Sequence, residues 1–351
     1  MPGSFNGITH LKRVYHQDTP DNSFGLYLGA GVNLPTESIH EPTYRTYGWE
    51  GLIKALYEKN MDRLTVSFSE LWNKYRRDWP CLSREVCGSL PVERFVDQLD
   101  EIIYDAMPRG DKYARLSKKL LHQAPTLHAA LCFSTKIRQR TPKSWTFERN
   151  AKIATVITPN YDYFFGAGWT RYEAFADQWK VTTFLSDRAL ACVPGTINYI
   201  HGYLPYSRSQ KQEIVLTDVA YKAAYNRGFA QRALHKGLNE YTLIFLGTSF
   251  TDVPLCKMLR KVKGQRQHFA VVTGDMAQRC EDLGVVPVIV PSFEDIATVL
   301  EEVYCAALDP VECQRVGLPG PHAYWERLWQ GKDRQERERD FGKSSNQSTT
   351  E

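Results

Sequence analysis

Four short clusters of small and polar residues could do chemistry together, because each one directly follows an apolar run. The clusters are Gly29-Ala30-Gly31, Thr158-Pro159-Asn160-Tyr161-Asp162, His201-Gly202 and Gly247-Thr248-Ser249. Small residues in a turn allow the backbone to approach a phosphate, and an imidazole can act as a general base. These residue types favour a phosphate-containing substrate that is bound beside an acid–base group.

The apolar runs before these clusters predict buried β-strands. The runs lack alternation of polar and apolar positions and are separated by helical stretches, as in a parallel sheet that is covered on both faces. They begin at Phe24, Ile153, Thr196, Thr242, His268 and Val285. The pattern predicts an α/β fold with a Rossmann-like, doubly wound parallel sheet. Ligands of such sheets bind outside the carboxyl ends of the strands, where the four clusters would lie.

A helical insertion is predicted at about residues 40–150, between the first two of these strands. Its apolar positions recur at helical spacing, most clearly in the stripe from Val92 to Ala106. A single βαβ crossover needs far less chain than this. We therefore predict one domain over residues 1–330, whose sheet is formed by residues 20–40 and 150–300. Residues 331–351 have almost no apolar content and are predicted to be a disordered tail.

Composition and charge exclude several classes of protein. The chain has 351 residues, with 44 Lys and Arg against 40 Asp and Glu, and a formal net charge of +4. This balance disfavours direct binding of nucleic acid through a concentrated basic face, so we expect nucleic-acid contact only through a partner. No stretch approaches the roughly 18 apolar residues of a membrane span. The N-terminus also lacks the pattern of a secretory signal, so we expect a cytoplasmic protein without membrane contact.

The eight cysteines predict neither disulfides nor a metal site. They are scattered, with no Cys-x-x-Cys pair, whereas a zinc ribbon requires two close pairs. We expect reduced thiols and no metal. An ordinary NAD dehydrogenase is also disfavoured, because the Gly-x-Gly-x-x-Gly pattern that would start at Gly29 fails at Leu34.

The order of the four clusters resembles that of the sirtuin superfamily, and specifically its sirtuin-like branch in bacterial anti-phage defence. Two further segments strengthen the resemblance, Ile214-Val-Leu-Thr-Asp-Val-Ala-Tyr221 and Phe245-Leu-Gly-Thr-Ser-Phe-Thr-Asp-Val-Pro-Leu255. The resemblance implies a sirtuin-like domain with NAD as its substrate. It covers the sheet, whereas the helical insertion and the tail fall outside it.

The resemblance also implies a role for each cluster. The Gly29–Gly31 turn would cradle the pyrophosphate, with Asn33 as an additional hydrogen-bond donor, and the Gly247–Ser249 turn would hold the adenosine half. Asn160 would position the attacking water or the ribose, and Asp162 would contact the nicotinamide carboxamide. His201 would act on the ribose hydroxyls or as general base.

Each residue taken alone has a second explanation. Asn160, Asp162, Thr248 and Ser249 could be helix caps, and His201 could be a core histidine. Four caps in this order would be an unusual coincidence, so the set favours the enzyme interpretation more strongly than any member does.

Departures from the deacylating sirtuins favour hydrolysis of NAD over protein deacylation. Pro159 stands where deacylases carry glutamine, and both their Asp-Phe-Arg segment and a zinc module are missing. We predict an NAD glycohydrolase that releases nicotinamide and ADP-ribose. Three alternatives remain open: a non-catalytic sensor of NAD or ADP-ribose, an NAD-dependent protein deacylase and an ADP-ribosyltransferase.

Constant hydrolysis of NAD would be lethal, so we expect assembly to control it. The sheet and the insertion use nearly all of the chain, which leaves no room for a fused sensor domain. The expected assembly is a homo-oligomer, or a complex with a separate sensor or motor protein. A HerA-type ATPase is one partner that the resemblance implies.

Overall fold

The computed structural model describes residues 7–17, 23–34, 48–75, 78–88, 90–104, 124–141, 144–166, 179–183, 186–204 and 214–305. The predicted tail at 331–351 lies outside the described residues, as does part of the predicted insertion. In chain order the strands are β1 (Phe24–Leu28), β2 (Thr135–Thr141), β3 (Ser144–Arg149), β4 (Ile153–Thr158), β5 (Lys180–Thr183), β6 (Thr196–Tyr199), β7 (Thr242–Leu246), β8 (His268–Thr273) and β9 (Val285–Val290).

Helices alternate with the strands over most of the chain. In chain order they are α1 (Gly7–His16), α2 (Trp49–Lys59), α3 (Phe68–Tyr75), α4 (Trp79–Cys87), α5 (Val92–Tyr104), α6 (Pro125–Phe133), α7 (Asp218–Tyr225), α8 (Phe229–Glu240), α9 (Val253–Val262), α10 (Ala277–Asp282) and α11 (Asp295–Cys305). None of the helices described combines the length and the apolar character that crossing a membrane requires.

Seven of the strands form one parallel sheet in the order β5-β6-β4-β1-β7-β8-β9. All five residues of β1 and of β7 are buried, which agrees with their unbroken apolar sequences. Helices α2, α4 and α5 pack on one face of the sheet, and helices α8 and α9 pack on the other face. Each face of the sheet has a separate apolar core. The predicted α/β, Rossmann-like, doubly wound parallel sheet is therefore confirmed.

The sheet order explains why separate clusters can meet. The chain runs from β1 to β4 on one side and returns to place β7 on the other side of β1. The direction of winding thus reverses beside β1, and a crevice opens at such a switch point, at the carboxyl ends of the strands. The residues that follow β1, β4 and β7 lie at this crevice.

The structure differs from the sequence-based expectation in two places. Strand β5 was not predicted, because its sequence Lys-Val-Thr-Thr is short and mostly polar. Residues 135–149, which the prediction placed in a helical insertion, form the antiparallel hairpin of β2 and β3 instead. Helices α2 to α6 do lie in the predicted insertion, whose described residues are therefore helical only in part.

Candidate active site

A cavity of about 570 Å³ lies at the carboxyl ends of β1, β4, β7 and β8, and residues of α2, α4 and α5 line it from the side of the insertion. Nine of the ten predicted site residues line this cavity: Gly29, Ala30, Gly31, Asn33, Asn160, Asp162, Gly247, Thr248 and Ser249. The tenth, His201, is completely buried and is not among the lining residues.

The two glycine turns pack directly against each other. The Gly29 amide donates to the Leu246 carbonyl oxygen (2.9 Å) and the Gly31 amide to the Gly247 carbonyl oxygen (3.0 Å). A Cβ atom on Gly29 or Gly247 would overlap backbone atoms of the opposite turn, and Gly247 has a positive φ of 60°. The glycines are therefore required by the contact between the turns. The amides of Gly29 and Gly31 are already occupied and cannot bind a phosphate.

Asn160 is held at the crevice by the ends of two neighbouring strands. The Thr158 hydroxyl donates to the Leu28 carbonyl (2.8 Å) and accepts from the Asn160 amide (3.1 Å). The side-chain nitrogen of Asn160 donates to the Gly29 carbonyl (3.2 Å). With Nδ2 engaged, Oδ1 is the side-chain atom that can accept a hydrogen bond from a substrate or a water.

Asp162 is joined to the turn after β1. Its Oδ2 accepts a hydrogen bond from Asn33 Nδ2 (2.8 Å), and its Oδ1 accepts from the Phe164 amide (3.2 Å). Burial raises the pKa of Asp162 to about 6, although both hydrogen bonds act in the opposite direction. The pKa of this carboxyl group is therefore closer to physiological pH than that of an ordinary aspartate.

The loop after β7 combines exposed hydroxyl groups with one strained residue. Ser249 is exposed, and its hydroxyl lies 2.9 Å from the hydroxyl of Thr251. Phe250 is buried with a positive φ of 51°, which is uncommon for a residue other than glycine. Its ring packs against Phe245, with 5.3 Å between centroids, and this contact anchors the loop at the cavity wall.

His201 lies behind the cavity wall among aromatic rings. Its Nε2 is 2.8 Å from the Tyr225 hydroxyl, while Trp49 and Tyr161 pack on its ring with centroids 6.0 and 6.3 Å away. Burial lowers the pKa of His201 to about 3, with the Pro159 backbone acting in the opposite direction, so the imidazole is neutral at physiological pH. The structure therefore does not bring His201 into the cavity with the other predicted residues.

Sequence reasoning missed several lining residues. Asp275 follows β8 at the same edge of the sheet, so the signal that identified the four clusters could have found it. Asp252 belongs to the segment from Phe245 to Leu255 that carries the family resemblance, but the sequence analysis did not predict its side chain as part of the site. Trp49 and Trp79 come from the insertion, and only the tertiary structure reveals that they reach the cavity.

The described cavity lining carries acidic but no basic side chains. Its carboxyl groups belong to Glu50, Asp162, Asp252 and Asp275, and none of the lining residues described is Lys or Arg. An anionic ligand in this cavity must therefore be held by dipoles and hydroxyl groups of these residues. Among the residues described, no group of three or more His, Cys, Asp or Glu side chains could hold a metal ion. Six of the cysteines are free thiols: Cys81, Cys87, Cys132, Cys192, Cys256 and Cys280.

A SIR2-like domain model matches residues 154–284. The matched range contains three of the four clusters, while the Gly29–Gly31 turn precedes it. The match supports a sirtuin-like family, and such a domain implies NAD binding and is consistent with an NAD-dependent enzyme. A search of curated proteins found no match.

Proposed function

We propose that this protein is an NAD glycohydrolase, which cleaves NAD into nicotinamide and ADP-ribose. One observation carries the proposal: Asn160, Asp162 and the two glycine turns line a single cavity at the switch point of a parallel sheet. The volume of about 570 Å³ is within the range of small-molecule and cofactor sites. The SIR2-like match over residues 154–284, which include the segments after β4 and β7, supports NAD as the ligand.

The reaction places specific demands on the cavity. Cleavage of the bond between ribose and nicotinamide develops positive charge on the ribose, and a water must attack the face that opens. Asn160 Oδ1 would orient this water or the ribose. Asp162 would accept a hydrogen bond from the nicotinamide carboxamide. The acidic lining would stabilise the positive charge that develops in the transition state.

The remaining residues would hold the rest of the dinucleotide. Thr248 and Ser249 offer hydroxyl groups to the adenosine half. The pyrophosphate would lie along the Gly29–Gly31 turn. Because the backbone amides of Gly29 and Gly31 already donate hydrogen bonds within the protein, the amide of Ala30 would be the one in this turn that binds the pyrophosphate. Asn33 would contribute to ligand binding indirectly, because its side-chain nitrogen Nδ2 donates a hydrogen bond to Asp162.

We further propose that hydrolysis depletes NAD during anti-phage defence (abortive infection) and that assembly activates it. The burial of His201 beneath Trp49 supports a need for activation, since a base on the ribose must reach the substrate. The assembly would be a homo-oligomer or a complex with a separate chain, such as a HerA-type ATPase, in the cytoplasm. Any response to nucleic acid would come through that partner.

Nicotinamide release tests the proposal. The full chain is incubated with NAD, alone and with the products of neighbouring genes, and products are separated by liquid chromatography. Asn160→Ala should abolish release, while Asn239→Ala, which removes a carboxamide from helix α8, should retain it. If no assembly releases nicotinamide, or if Asn160→Ala equals wild type, the proposed activity is wrong.

A non-catalytic sensor of NAD or ADP-ribose is the second candidate function. The observation that favours it is the neutral, fully buried His201, which leaves the cavity without an exposed imidazole. A sensor would bind NAD and release it unchanged. Calorimetric binding of NAD without any nicotinamide in the recovered ligand would favour the sensor over the hydrolase.

A further inference from the structure

Asp275 is the acidic residue at the end of the cavity that β8 forms. Strand β8 ends at Thr273, and Asp275 follows it at the same edge of the sheet. Leu246 of β7 pairs with Val271 of β8, so the Gly247–Ser249 turn lies beside the carboxyl end of β8. Asp275 therefore lines the cavity next to the turn that is proposed to hold the adenosine half of NAD.

The Asp275 carboxylate has one oxygen that is held by the protein and one that is free to bind a ligand. The Thr273 hydroxyl donates a hydrogen bond to Oδ1, which orients the carboxylate. Oδ2 makes no hydrogen bond or ion pair with the described residues, and Asp275 is exposed. An ionised carboxylate can only accept hydrogen bonds, so a ligand that binds through Oδ2 must present a donor.

The order of the strands determines which part of a dinucleotide reaches Asp275. Strands β1 and β7 separate β4 from β8 in the sheet. Because neighbouring strands lie about 4.8 Å apart, the ends of β4 and β8 are about 14 Å apart. With the nicotinamide ribose at Asn160 and the pyrophosphate along the Gly29–Gly31 turn, the second ribose of NAD lies at the ends of β7 and β8.

The described lining offers no cation that could hold an additional phosphate at this end of the cavity. None of the lining residues described is Lys or Arg. Arg279, one helical turn after Asp275, is exposed and is not among the lining residues. A phosphate dianion beside the Asp275 carboxylate would be repelled, and no described side chain of the lining offsets this repulsion.

We propose that Asp275 selects the substrate class: it binds the 2′-hydroxyl of the adenosine ribose and excludes dinucleotides that carry a 2′-phosphate, such as NADP. The inference rests on the proposed binding of NAD and adds the residue that distinguishes NAD from NADP. The 2′-hydroxyl donates a hydrogen bond to Oδ2, whereas a 2′-phosphate removes this donor and brings two negative charges to the same oxygen. An acidic residue on this hydroxyl also favours NAD in other dinucleotide-binding sheets.

Binding measurements test the inference without requiring hydrolysis. The full chain is titrated calorimetrically with ADP-ribose and with ADP-ribose 2′-phosphate, which both lack the bond to nicotinamide. We expect wild type to bind ADP-ribose at least about 30-fold more tightly than the 2′-phosphate form. Asp275→Asn keeps an oxygen for the Thr273 hydroxyl but removes the charge, so it should reduce this preference about tenfold.

Asp282→Asn is the matched control for the binding measurements. Asp282 is an exposed aspartate at the end of α10 that also accepts a side-chain hydrogen bond, from Gln278 (3.0 Å), but it does not line the cavity. This variant should keep the preference of wild type. Equal binding of the two nucleotides by wild type, or an unchanged preference in Asp275→Asn, would overturn the inference even if the protein hydrolyses NAD.

Nicotinamide release supplies the second arm of the test. In the assembly that hydrolyses NAD, kcat/KM for NAD should exceed that for NADP at least about 30-fold, and Asp275→Asn should lower KM for NADP rather than change kcat. Preferential binding of ADP-ribose without nicotinamide release in any assembly would refute the proposed activity and retain the role of Asp275. Absence of binding of both nucleotides would overturn the two proposals together.

Discussion

The side-chain nitrogen of Asn33 donates a hydrogen bond to Asp162 Oδ2 over 2.8 Å, although the two residues are 129 positions apart in the chain. This bond joins the turn after β1 to the segment after β4 at the cavity wall. The side-chain oxygen of Asn33 is buried without a partner among the described residues. If the side-chain amide of Asn33 flips, so that its oxygen replaces its nitrogen, Asn33 can therefore accept a hydrogen bond from residue 162 instead of donating one.

This arrangement predicts that Asp162→Asn folds normally and changes how ligand binding depends on pH. The pKa of Asp162 is raised to about 6, so wild type loses the carboxylate as the pH falls through about 6. If the carboxylate binds the nicotinamide carboxamide, NAD affinity should decrease from pH 7.5 to pH 5. In Asp162→Asn the affinity should be lower at pH 7.5 and nearly independent of pH. Calorimetric titration with NAD at several pH values measures both, and an equal pH dependence in the two proteins would contradict the prediction.

The same carboxyl group should also affect stability. A carboxyl whose pKa is raised on folding costs stability as the pH rises from its unfolded pKa of 3.8, and the loss is complete above its folded pKa of about 6. Asp162→Asn should therefore be more stable than wild type at pH 8, by on the order of 1 kcal/mol, and the difference should disappear towards pH 4. Urea unfolding at the two pH values measures this. Asp187→Asn, at an exposed residue, is the control and should show no such pH-dependent gain.

The contact between the glycine turns predicts a large cost for Gly247→Ala. The new Cβ would meet the backbone of Gly31 and Val32, in addition to the strain of a positive φ of 60°. Gly264→Ala is a matched control, because its φ is 84° but its Cβ would point into open space. We expect about 1 kcal/mol for Gly264→Ala and about 3 kcal/mol or more for Gly247→Ala. Equal losses in urea unfolding would show that the close approach of the turns contributes nothing.

The central strands could be predicted from sequence because burial on both faces leaves a direct trace in the residues. The unbroken apolar sequence of β1 and β7 is that trace, and their ends identified the turns at the cavity. Strand β5 has alternating, mostly polar positions at the sheet edge, where a strand needs few apolar residues. Its pairing with β6 depends on long-range hydrogen bonds that no local pattern reports.

The sequence identified nine residues that line the cavity, but it did not reveal how they are arranged there. A glycine in a turn has the same sequence signal whether it binds a phosphate or packs against a second turn, as Gly29 does. The burial of His201 depends on Trp49 and Tyr225, which lie far from it in sequence or in a different element. Such contacts are set by tertiary packing, so no spacing rule reveals that the imidazole lies behind the wall.

The position of Trp49 leads to the last prediction, that this ring controls access to His201. The Trp49 ring meets the imidazole edge-on with 6.0 Å between centroids, and His201 has no exposed surface. Trp49→Ala should expose the imidazole, increase its modification by diethylpyrocarbonate several-fold, and raise its pKa from about 3 towards about 6.5. Trp72→Ala removes a partly buried ring of α3 that packs on Phe68 and Trp79, and it is the control for general loosening of this region. Peptide mass spectrometry at His201 compares the three proteins. Trp49 belongs to α2, whereas His201 follows β6, so a movement of the helices could also expose the imidazole. Equal modification of His201 in Trp49→Ala and Trp72→Ala would mean that the whole helical region, rather than the Trp49 ring, closes the site.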